Sequence, residues 1–512
     1  MNSLDTTAPR LSRTAAAMTV LAMGLGYTAS VVDPTILSAE MSTVRIGLGM
    51  SASAASFIAS LATLTTAAAV LGAGALGDVY GMRRMYVVGL LGTIGFGVLG
   101  AAAPTVAVLM VARAGLGVAL AFLLGLPLAI VNAVFAPERR TRVIAWYFGV
   151  GFAVAAPLPA IGGVLAAQFG WRTCLLVTPA VAAAALAITL RYVPHPPRSH
   201  RALDVPGLAL AAVALLALVF GISRLEAGVD VVAITALCTA AVAAVGFVVR
   251  EWRTPQPALE LSIFRSSRFN AAVTAGVVFN FLTGGLMILF AFYLVTVRGE
   301  SPEVLGFLLI PATVLGAVAA TAAGPAAARF GDRPVLVGGL AVMLVAVLLL
   351  RLFDENTSLV VVAAAVVLSV VGGAIVATPQ ASVMMAGAPA HLGGAVSGVK
   401  GAVNQTGYSL GPTVFALVGI NLILAEGTTK LAGSGITLEE AREAFRATHG
   451  GPAGGSHLLD PDRARIVATA ATESMLDAIH TISLLAAVVA VVAIVVAIVW
   501  LKPESRGGPS TS

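Results

Sequence analysis

About fourteen stretches of roughly 20 mostly apolar residues recur along this chain, and a helix of that length spans the hydrocarbon core of a bilayer. Of the 512 residues, 58% are hydrophobic and 11% are charged, whereas about 25% of a soluble domain is charged. A soluble chain of this length would divide into domains with polar surfaces, but no polar block appears before residue 425. The predicted fold class is therefore an all-α integral membrane protein.

The predicted spans form a set of six, a following pair and a second set of six. They cover residues 14–37, 52–74, 85–103, 105–132, 142–166, 173–192, 205–222, 231–249, 270–297, 303–328, 334–352, 357–386, 394–424 and 476–501. We expect the first to be a retained helix and not a signal peptide. The 54 glycines suit close packing between helices in lipid.

The spans predict a domain organisation of two bundles joined by an insert. Its parts are an N-terminal tail at 1–13, a six-helix bundle at 14–193, a linker with two helices at 194–268, a second six-helix bundle at 269–501 and a tail at 502–512. The long polar segment at 425–475 is predicted to cap the outer face. Within it, Thr437 and Glu440 have capping-box spacing for a short helix through Phe445, and Asp460-Pro461 predicts a helix start that runs into the last span.

Arginine and lysine are concentrated in alternate loops, which predicts the orientation. The cations assigned to the inside are Arg10, Arg13, Arg83, Arg84, Arg139, Arg140, Arg142, Arg198, Arg201, Arg253, Arg265, Arg268, Arg329, Arg333, Lys502 and Arg506. Both termini are then cytoplasmic and the protein lies in the plasma (inner) membrane. The net charge of +6 is spread over short loops, so we expect membrane lipids and not nucleic acid as the partner of these cations.

The motif content excludes several classes of chemistry. The sequence contains no phosphate-binding Gly-x-x-x-x-Gly-Lys-Ser/Thr loop, no nucleophile elbow and no His-Glu-x-x-His. Cys174 and Cys238 lie far apart in apolar stretches and have no metal-ligand spacing. We therefore expect no enzyme activity, no metal and no cofactor, with an ion gradient as the energy source.

Two loops repeat each other at equivalent places in the two sets of six spans. Residues 74–84 follow the second span and residues 324–334 follow the tenth, and both are glycine-spaced and basic. Such internal repetition is typical of transporters built from two related bundles around a central site.

These residues resemble the major facilitator superfamily, and specifically its fourteen-helix drug:proton antiporter branch. The segment Gly74–Arg84 matches the cytoplasmic signature of the superfamily, and Val31-Val32-Asp33-Pro34-Thr35 resembles the first-helix signature of the branch. The segment at 158–163 resembles the antiporter motif of helix five, with leucine in place of its first glycine. The resemblance implies two six-helix bundles plus two inserted helices and proton-coupled export.

Asp33 is the one carboxylate clearly inside an apolar run, and an ionisable group at such depth is a functional candidate. Counting the helical rise puts Asp33 and Arg113 at similar depth in the outer half. We predict that the two face each other and couple proton binding to transport. The alternative is that Asp33 is an ordinary cap near Glu40 at the water interface.

The resemblance assigns the 74–84 loop to a conformational latch. Its members are Gly74, Asp78, Gly81, Arg83 and Arg84. Asp78 can accept hydrogen bonds from a helix N-terminus or pair with an arginine in one state and lose them in the other. Anchoring by positive charge alone would explain the arginines but not Asp78.

The fifth span carries Pro157, Pro159, Gly162 and Gly163. These residues predict a bend that lets another helix pack closely and acts as a hinge, although a bend that serves packing alone has the same composition.

A substrate pocket is expected near the midplane between the bundles. Its predicted lining is Asn280, Phe281, Phe292, Gln380, Asn404, Gln405 and Tyr408, each of which alone also suits ordinary helix packing. Lys400 is expected to extend to the nearby interface and not to contact substrate. These helices add no further carboxylate, which favours neutral or monocationic lipophilic substrates over dications.

The sequence therefore predicts a monomeric proton-coupled exporter of small lipophilic compounds such as drugs. An alternative keeps the fold and exports or flips a cell-envelope lipid or an endogenous metabolite. A membrane receptor or an intramembrane enzyme is the alternative of another class, and the two-bundle signatures disfavour it.

Overall fold

The computed structural model describes residues 12–196, 202–225, 229–301, 303–388, 391–431 and 461–501. Within these residues, fourteen helices are long and apolar enough to cross a membrane, which confirms the predicted fold class. We number them α1 to α14 in chain order: Arg13–Leu48, Ala52–Tyr80, Met82–Ala101, Val106–Val134, Pro137–Phe169, Trp171–Tyr192, Val205–Leu225, Val231–Arg253, Ser267–Val297, Glu303–Phe330, Asp332–Leu352, Leu359–Ala386, Gly393–Lys430 and Pro461–Trp500.

The helix ends follow from local chemistry. Ser51 and Thr105 precede α2 and α4, and their hydroxyls accept the backbone N–H of Ala54 and Val108, which satisfies one of the unpaired donors of a helix start. Gly81 and Gly331 have φ of 104° and 90°, a region that favours glycine. The chain reverses at these two glycines, and α3 and α11 begin at the next residue.

Two spans are interrupted at prolines. Helix α4 consists of Val106–Gly125 and Pro127–Val134, and α5 consists of Pro137–Ala155 and Leu158–Phe169. Proline lacks the N–H that would bond to the residue four positions earlier and its ring displaces that carbonyl. The break at Ala156–Pro157 therefore lies where the sequence predicts the bend of the fifth span.

The helices pack as two groups. Helices α1 to α6 contact one another through pairs such as α2–α4 and α1–α6, and α9 to α14 do so through pairs such as α9–α13 and α11–α12. Helices α7 and α8 pack together, and α7 also contacts α2 and α13. Most of these contacts depend on small residues: for example, a Cβ on Gly372 would come within 2.5 Å of Met343 Cγ.

The arginine-rich loops all lie at one end of the antiparallel helices, which we call the basic end; the other end we call the opposite end. The basic end carries the turns after α2, α4, α8, α10 and α12. Helix α14 begins at Pro461 and continues to Trp500 without interruption, as predicted. The predicted short helix at 437–445 and most of the 425–475 segment lie outside the described residues.

Candidate transport pathway and gate

Asp33 and Arg113 form a buried ion pair between α1 and α4. Arg113 Nη1 lies 2.8 Å from Asp33 Oδ2, and the two side chains are 2% and 5% exposed. The contact is ionic and not a directed hydrogen bond, because none of the three guanidinium nitrogens has an aligned acceptor among the described residues. Removing two charges from water costs free energy, and an ion pair whose remaining donors have no hydrogen-bond partner recovers only part of that cost.

The pair also contacts a third helix. The Thr178 hydroxyl of α6 lies 3.4 Å from Asp33 Oδ1, at the long limit of hydrogen bonding. Arg113 and Thr178 each lie seven residues from the start of their helices at the opposite end, or about 10 Å inside it. The charge on Asp33 is thus placed where it can affect the packing of α1, α4 and α6 at once.

Asp78 joins the two bundles at the basic end. Its carboxylate is buried at the end of α2 and accepts the backbone N–H of Gly394 at 2.7 Å and of Ala395 at 2.8 Å. These are the second and third residues of α13, whose free N–H groups and dipole attract negative charge. The contact is close because both helices lack side chains here: a Cβ on Gly74 would lie 2.1 Å from Gly394 O.

The two arginines of the predicted latch differ in their surroundings. Arg83 donates to the carbonyl oxygens of Leu190 at 2.9 Å and Thr189 at 3.3 Å and contacts His195 at 2.5 Å. It therefore binds the last turn of α6, where a cation is favoured by the helix dipole. Arg84 is exposed, and Gly81 supplies the turn between α2 and α3.

The bend in α5 faces α1. Gly162 packs on Ile36, where a Cβ would lie 3.1 Å from the Ile36 side chain, and a Cβ on Gly163 would approach Glu40 to 3.7 Å. Both α1 residues lie within two turns of Asp33. The bend thus brings the glycine face of this helix against the segment that carries the buried carboxylate.

Two further contacts between the bundles close the basic end. The hydroxyls of Thr141 in α5 and Ser382 in α12 are 2.8 Å apart. Gly324 of α10 packs on α5, where a Cβ would lie 2.5 Å from Ala145 Cβ. Together with the α2–α13 contact, these place the bundles side by side with no room for a solute at this end.

One face of α13 becomes more exposed toward the opposite end. Gly394, Gly398 and Gly401 lie on the face of α13 that packs on α2. Continuing outward, the same face carries Gln405 and Tyr408. Tyr408 is 44% exposed, although Gly407 beside it is packed against α9. We interpret the conformation as closed at the basic end and open at the other.

The structure brings together most of the predicted pocket residues. Asn280 and Phe281 of α9 and Asn404 and Gln405 of α13 are half-buried at similar height. Gln380 of α12 is fully buried and packs on Gly276, one turn from Asn280. Phe292 is not with them: it lies twelve residues beyond Asn280, about 18 Å further along α9.

Lys400 does not extend to the interface, so that expectation was wrong. Its side chain is 2% exposed, and Nζ lies 4.7 Å from the ring centre of Phe148 in α5. Lys400 therefore belongs to the base of the space between the bundles.

Several residues of this region were not singled out from the sequence. They are Tyr27, Thr141, Phe148, Thr178, Ser382, Gly394 and Ala395. The signal available for the last two is the spacing of Gly394, Gly398 and Gly401, which marks a close helix contact but not its partner. Thr178 and Phe148 sit in ordinary apolar runs and carry no such signal.

Comparison with known proteins agrees with this arrangement. The family model described as Major Facilitator Superfamily matches residues 14–412. The chain belongs to the major facilitator superfamily. The match runs from the first residues of α1 to the middle of α13, and it includes Asp33, Asp78 and Arg113. The superfamily is one of transporters.

Two curated relatives and one solved structure illustrate the similarity. The multidrug resistance protein Stp of Mycobacterium tuberculosis (strain CDC 1551 / Oshkosh) is 30% identical over 78% of this chain and 75% of its own length. The tetracenomycin C resistance and export protein of Streptomyces glaucescens is 28% identical over 78% and 75%. The human organic anion transporter MFSD10 (TETRAN) has a TM-score of 0.60 over 94% of this chain and 98% of its own, at 16% identity, and shows the fold alone.

Proposed function

We propose that this protein exports small lipophilic compounds, including drugs, across the plasma membrane in exchange for protons. The observation that carries the proposal is the buried Asp33–Arg113 pair inside the first bundle. A carboxylate can release a proton on one side of a membrane and bind one on the other. The energy comes from the proton gradient, without a metal or an organic cofactor.

The names of the relatives support export of drugs over export of an envelope lipid. Both curated relatives reported above are named for resistance, and one also for export. The lipophilic lining around Phe281 and the half-buried amides of Asn280 and Asn404 suit compounds with few polar groups. The protein works as a monomer in this proposal, since one chain supplies both bundles and the space between them.

The orientation follows from the arginine-rich loops, which place the basic end in the cytoplasm. Both termini are then cytoplasmic, and the conformation described here is open to the outside. Asp78 at the start of α13 holds the cytoplasmic end closed. A protonated Asp33 no longer attracts Arg113, so protonation weakens the packing of α1 against α4 and favours the other conformation.

Exchange requires that proton and substrate favour different states of the same pair. A substrate that binds the inward-open state promotes release of the proton from Asp33. The deprotonated Asp33 then pairs with Arg113 again as the protein returns to the outward-open state. Asp78 and the bend of α5 take part as latch and hinge. They touch neither proton nor substrate.

The test is substrate-induced proton release in proteoliposomes. Asp33→Asn has nearly the same shape as the protonated side chain but cannot release a proton. We expect it to abolish uphill transport and proton release while downhill exchange of a neutral compound continues, because the pocket is unchanged. Ethidium and a neutral dye of similar size serve as probes.

The matched control is Glu40→Gln, which removes a carboxylate from the same helix two turns further out. We expect it to leave proton release unchanged. If Asp33→Asn still concentrates substrate against its gradient and still releases protons, then the coupling group lies elsewhere and the proposal is wrong.

A further inference from the structure

Lys400 carries a buried amino group with no carboxylate partner among the described residues. Its side chain is 2% exposed, and no carboxylate among the described residues lies within ion-pair distance of Nζ. A buried charge is costly unless it is paired or well hydrogen-bonded. The position therefore raises the question of what compensates this ammonium group during transport.

The protein itself supplies only weak partners. The Phe148 ring lies 4.7 Å from Nζ, a cation–π contact. With its amide oriented so that each end meets a complementary neighbour, Asn404 accepts from Nζ through Oδ1 at 3.0 Å. An ammonium has three N–H donors, so one amide oxygen and one aromatic face leave donor capacity unused.

A second unpartnered polar group lies on the neighbouring helix. Gln380 of α12 is fully buried, and its Oε1 has no hydrogen-bond donor among the described residues. Its Nε2 contacts only Met384 Sδ at 3.3 Å. Buried polar atoms without partners are rare in proteins, and a cation with an amide at the base of a space suits a polar group of a ligand.

Exposure along one face of α13 increases from Lys400 toward the opposite end. It rises from 2% at Lys400 to half-buried at Asn404 and 44% at Tyr408, over about 12 Å of helix. Tyr27 of α1, half-buried, contacts Phe148 at 5.4 Å between ring centres. The aromatic side chains thus border the cation from one bundle and the amides border it from the other.

We propose that Lys400 binds an anionic group of the substrate, so that the exported compounds include lipophilic acids with a carboxylate or an ionised phenol. This inference rests on the proposed export function and adds a substrate class to it. The sequence alone favours neutral and monocationic substrates, because no sequence pattern places Lys400 in the pathway. The ligand anion takes N–H bonds from Nζ in place of the Phe148 ring, and the flexible lysine stem permits that movement.

Asp33 and Lys400 then have separate tasks. Asp33 is paired with Arg113 within the first bundle, so its charge is not available to Lys400. Lys400 belongs to the second bundle but touches Phe148 of the first, and an acid bound between them contacts both. This arrangement separates the proton site from the site that recognises the substrate charge.

The test measures binding without a proton gradient, so that it does not depend on coupling. The probes are 11-(dansylamino)undecanoic acid and its methyl ester, which share one lipophilic body, titrated at pH 6.5 into the full chain in phosphatidylcholine nanodiscs with empty nanodiscs subtracted. We expect the wild type to bind the acid about tenfold or more tightly than the ester, as a charged hydrogen bond implies. Lys400→Gln should bind the two equally, and Lys400→Arg should keep the preference.

Lys430→Gln is the matched control, since it makes the same substitution on the same helix in an exposed ion pair with Asp477. It should bind both probes as the wild type does. The proposal is overturned if the wild type shows no preference for the acid or if Lys400→Gln keeps that preference. It is also overturned if Lys400→Gln loses affinity for both probes equally. A retained acid preference with no uphill transport would instead contradict the proposed export function.

Discussion

The buried charges show what can and cannot be read from residue spacing. Counting helical rise from the ends of two predicted spans places Asp33 and Arg113 at one depth, and the structure has them 2.8 Å apart. The same count places Lys400 near a surface but says nothing about what covers that surface. In the fold the Lys400 side chain is buried against Phe148 of α5, a contact between the two bundles that is beyond the reach of any local pattern.

At this scale we predict that the two members of the buried pair depend on each other. Arg113→Met removes the charge while filling most of the space, and it leaves Asp33 buried without a counter-ion. Removing one partner of a buried pair costs about 3–5 kcal/mol of stability. We therefore expect a marked fall in the thermal midpoint in detergent, and partial recovery in the double variant Asp33→Asn/Arg113→Met.

The double variant is the informative comparison, because a lost packing contact would not be restored by changing Asp33. Equal thermal midpoints for Arg113→Met and the double variant would mean that Arg113 does not stabilise the charge on Asp33. Asp33→Asn alone should cost less than Arg113→Met, since an amide is easier to bury than an unpaired carboxylate.

At the scale of helices, the apolar runs predict all fourteen spans, and the Pro157 region correctly predicts the break in α5. The ends differ most where a helix continues past the hydrocarbon core: α1 extends to Leu48 and α5 begins at Pro137. Hydropathy measures only the apolar part of a helix, whereas caps and turns decide where it ends. Which helices meet across the bundles depends on glycines that lie opposite each other in the fold. A single sequence does not show which glycines these are.

The contact between α2 and α13 leads to a prediction about rate. Asp78→Asn keeps one acceptor oxygen but loses the charge that attracts the start of α13. We expect turnover to fall about tenfold, which corresponds to about 1.4 kcal/mol between the two conformations, while substrate affinity changes less than threefold. Transport and equilibrium binding in the same proteoliposomes separate the two quantities.

Asp230→Asn is the control for this variant. Asp230 also accepts a backbone N–H at a helix start, that of Ala233 in α8; this bond and Arg224 hold the pKa of the Asp230 carboxyl below its usual value. The contact that Asp230 makes does not connect the two bundles, so its loss should leave turnover unchanged. A Thr141→Cys/Ser382→Cys pair reports the closed basic end by disulfide formation, which should fall with Asp78→Asn; normal turnover with lost affinity would contradict the latch.

For the molecule as a whole, the fold places sites with different tasks at three heights. The Asp33–Arg113 pair lies toward the opposite end, Lys400 and the amides lie below it, and the Asp78 contact closes the basic end. In the two proposals above, the proton and the lipophilic acid therefore bind at separate sites. Their common effect is on the relative position of the bundles, which is how two ligands influence each other without contact.

The direction of export depends on orientation, and the chain makes a definite prediction about it. Arginines at the basic end outnumber those at the opposite end, so the basic end should be cytoplasmic. In a Cys238→Ser background, in which Cys174 remains but is buried, single cysteines are placed by Glu440→Cys, His200→Cys and Ser510→Cys. An impermeant maleimide added to intact cells should label the first and leave the other two unlabelled until the membrane is opened. Labelling at 200 or 510 in intact cells would mean that the protein has the reverse orientation. The state described here would then be open to the cytoplasm, with Asp78 closing the outer end.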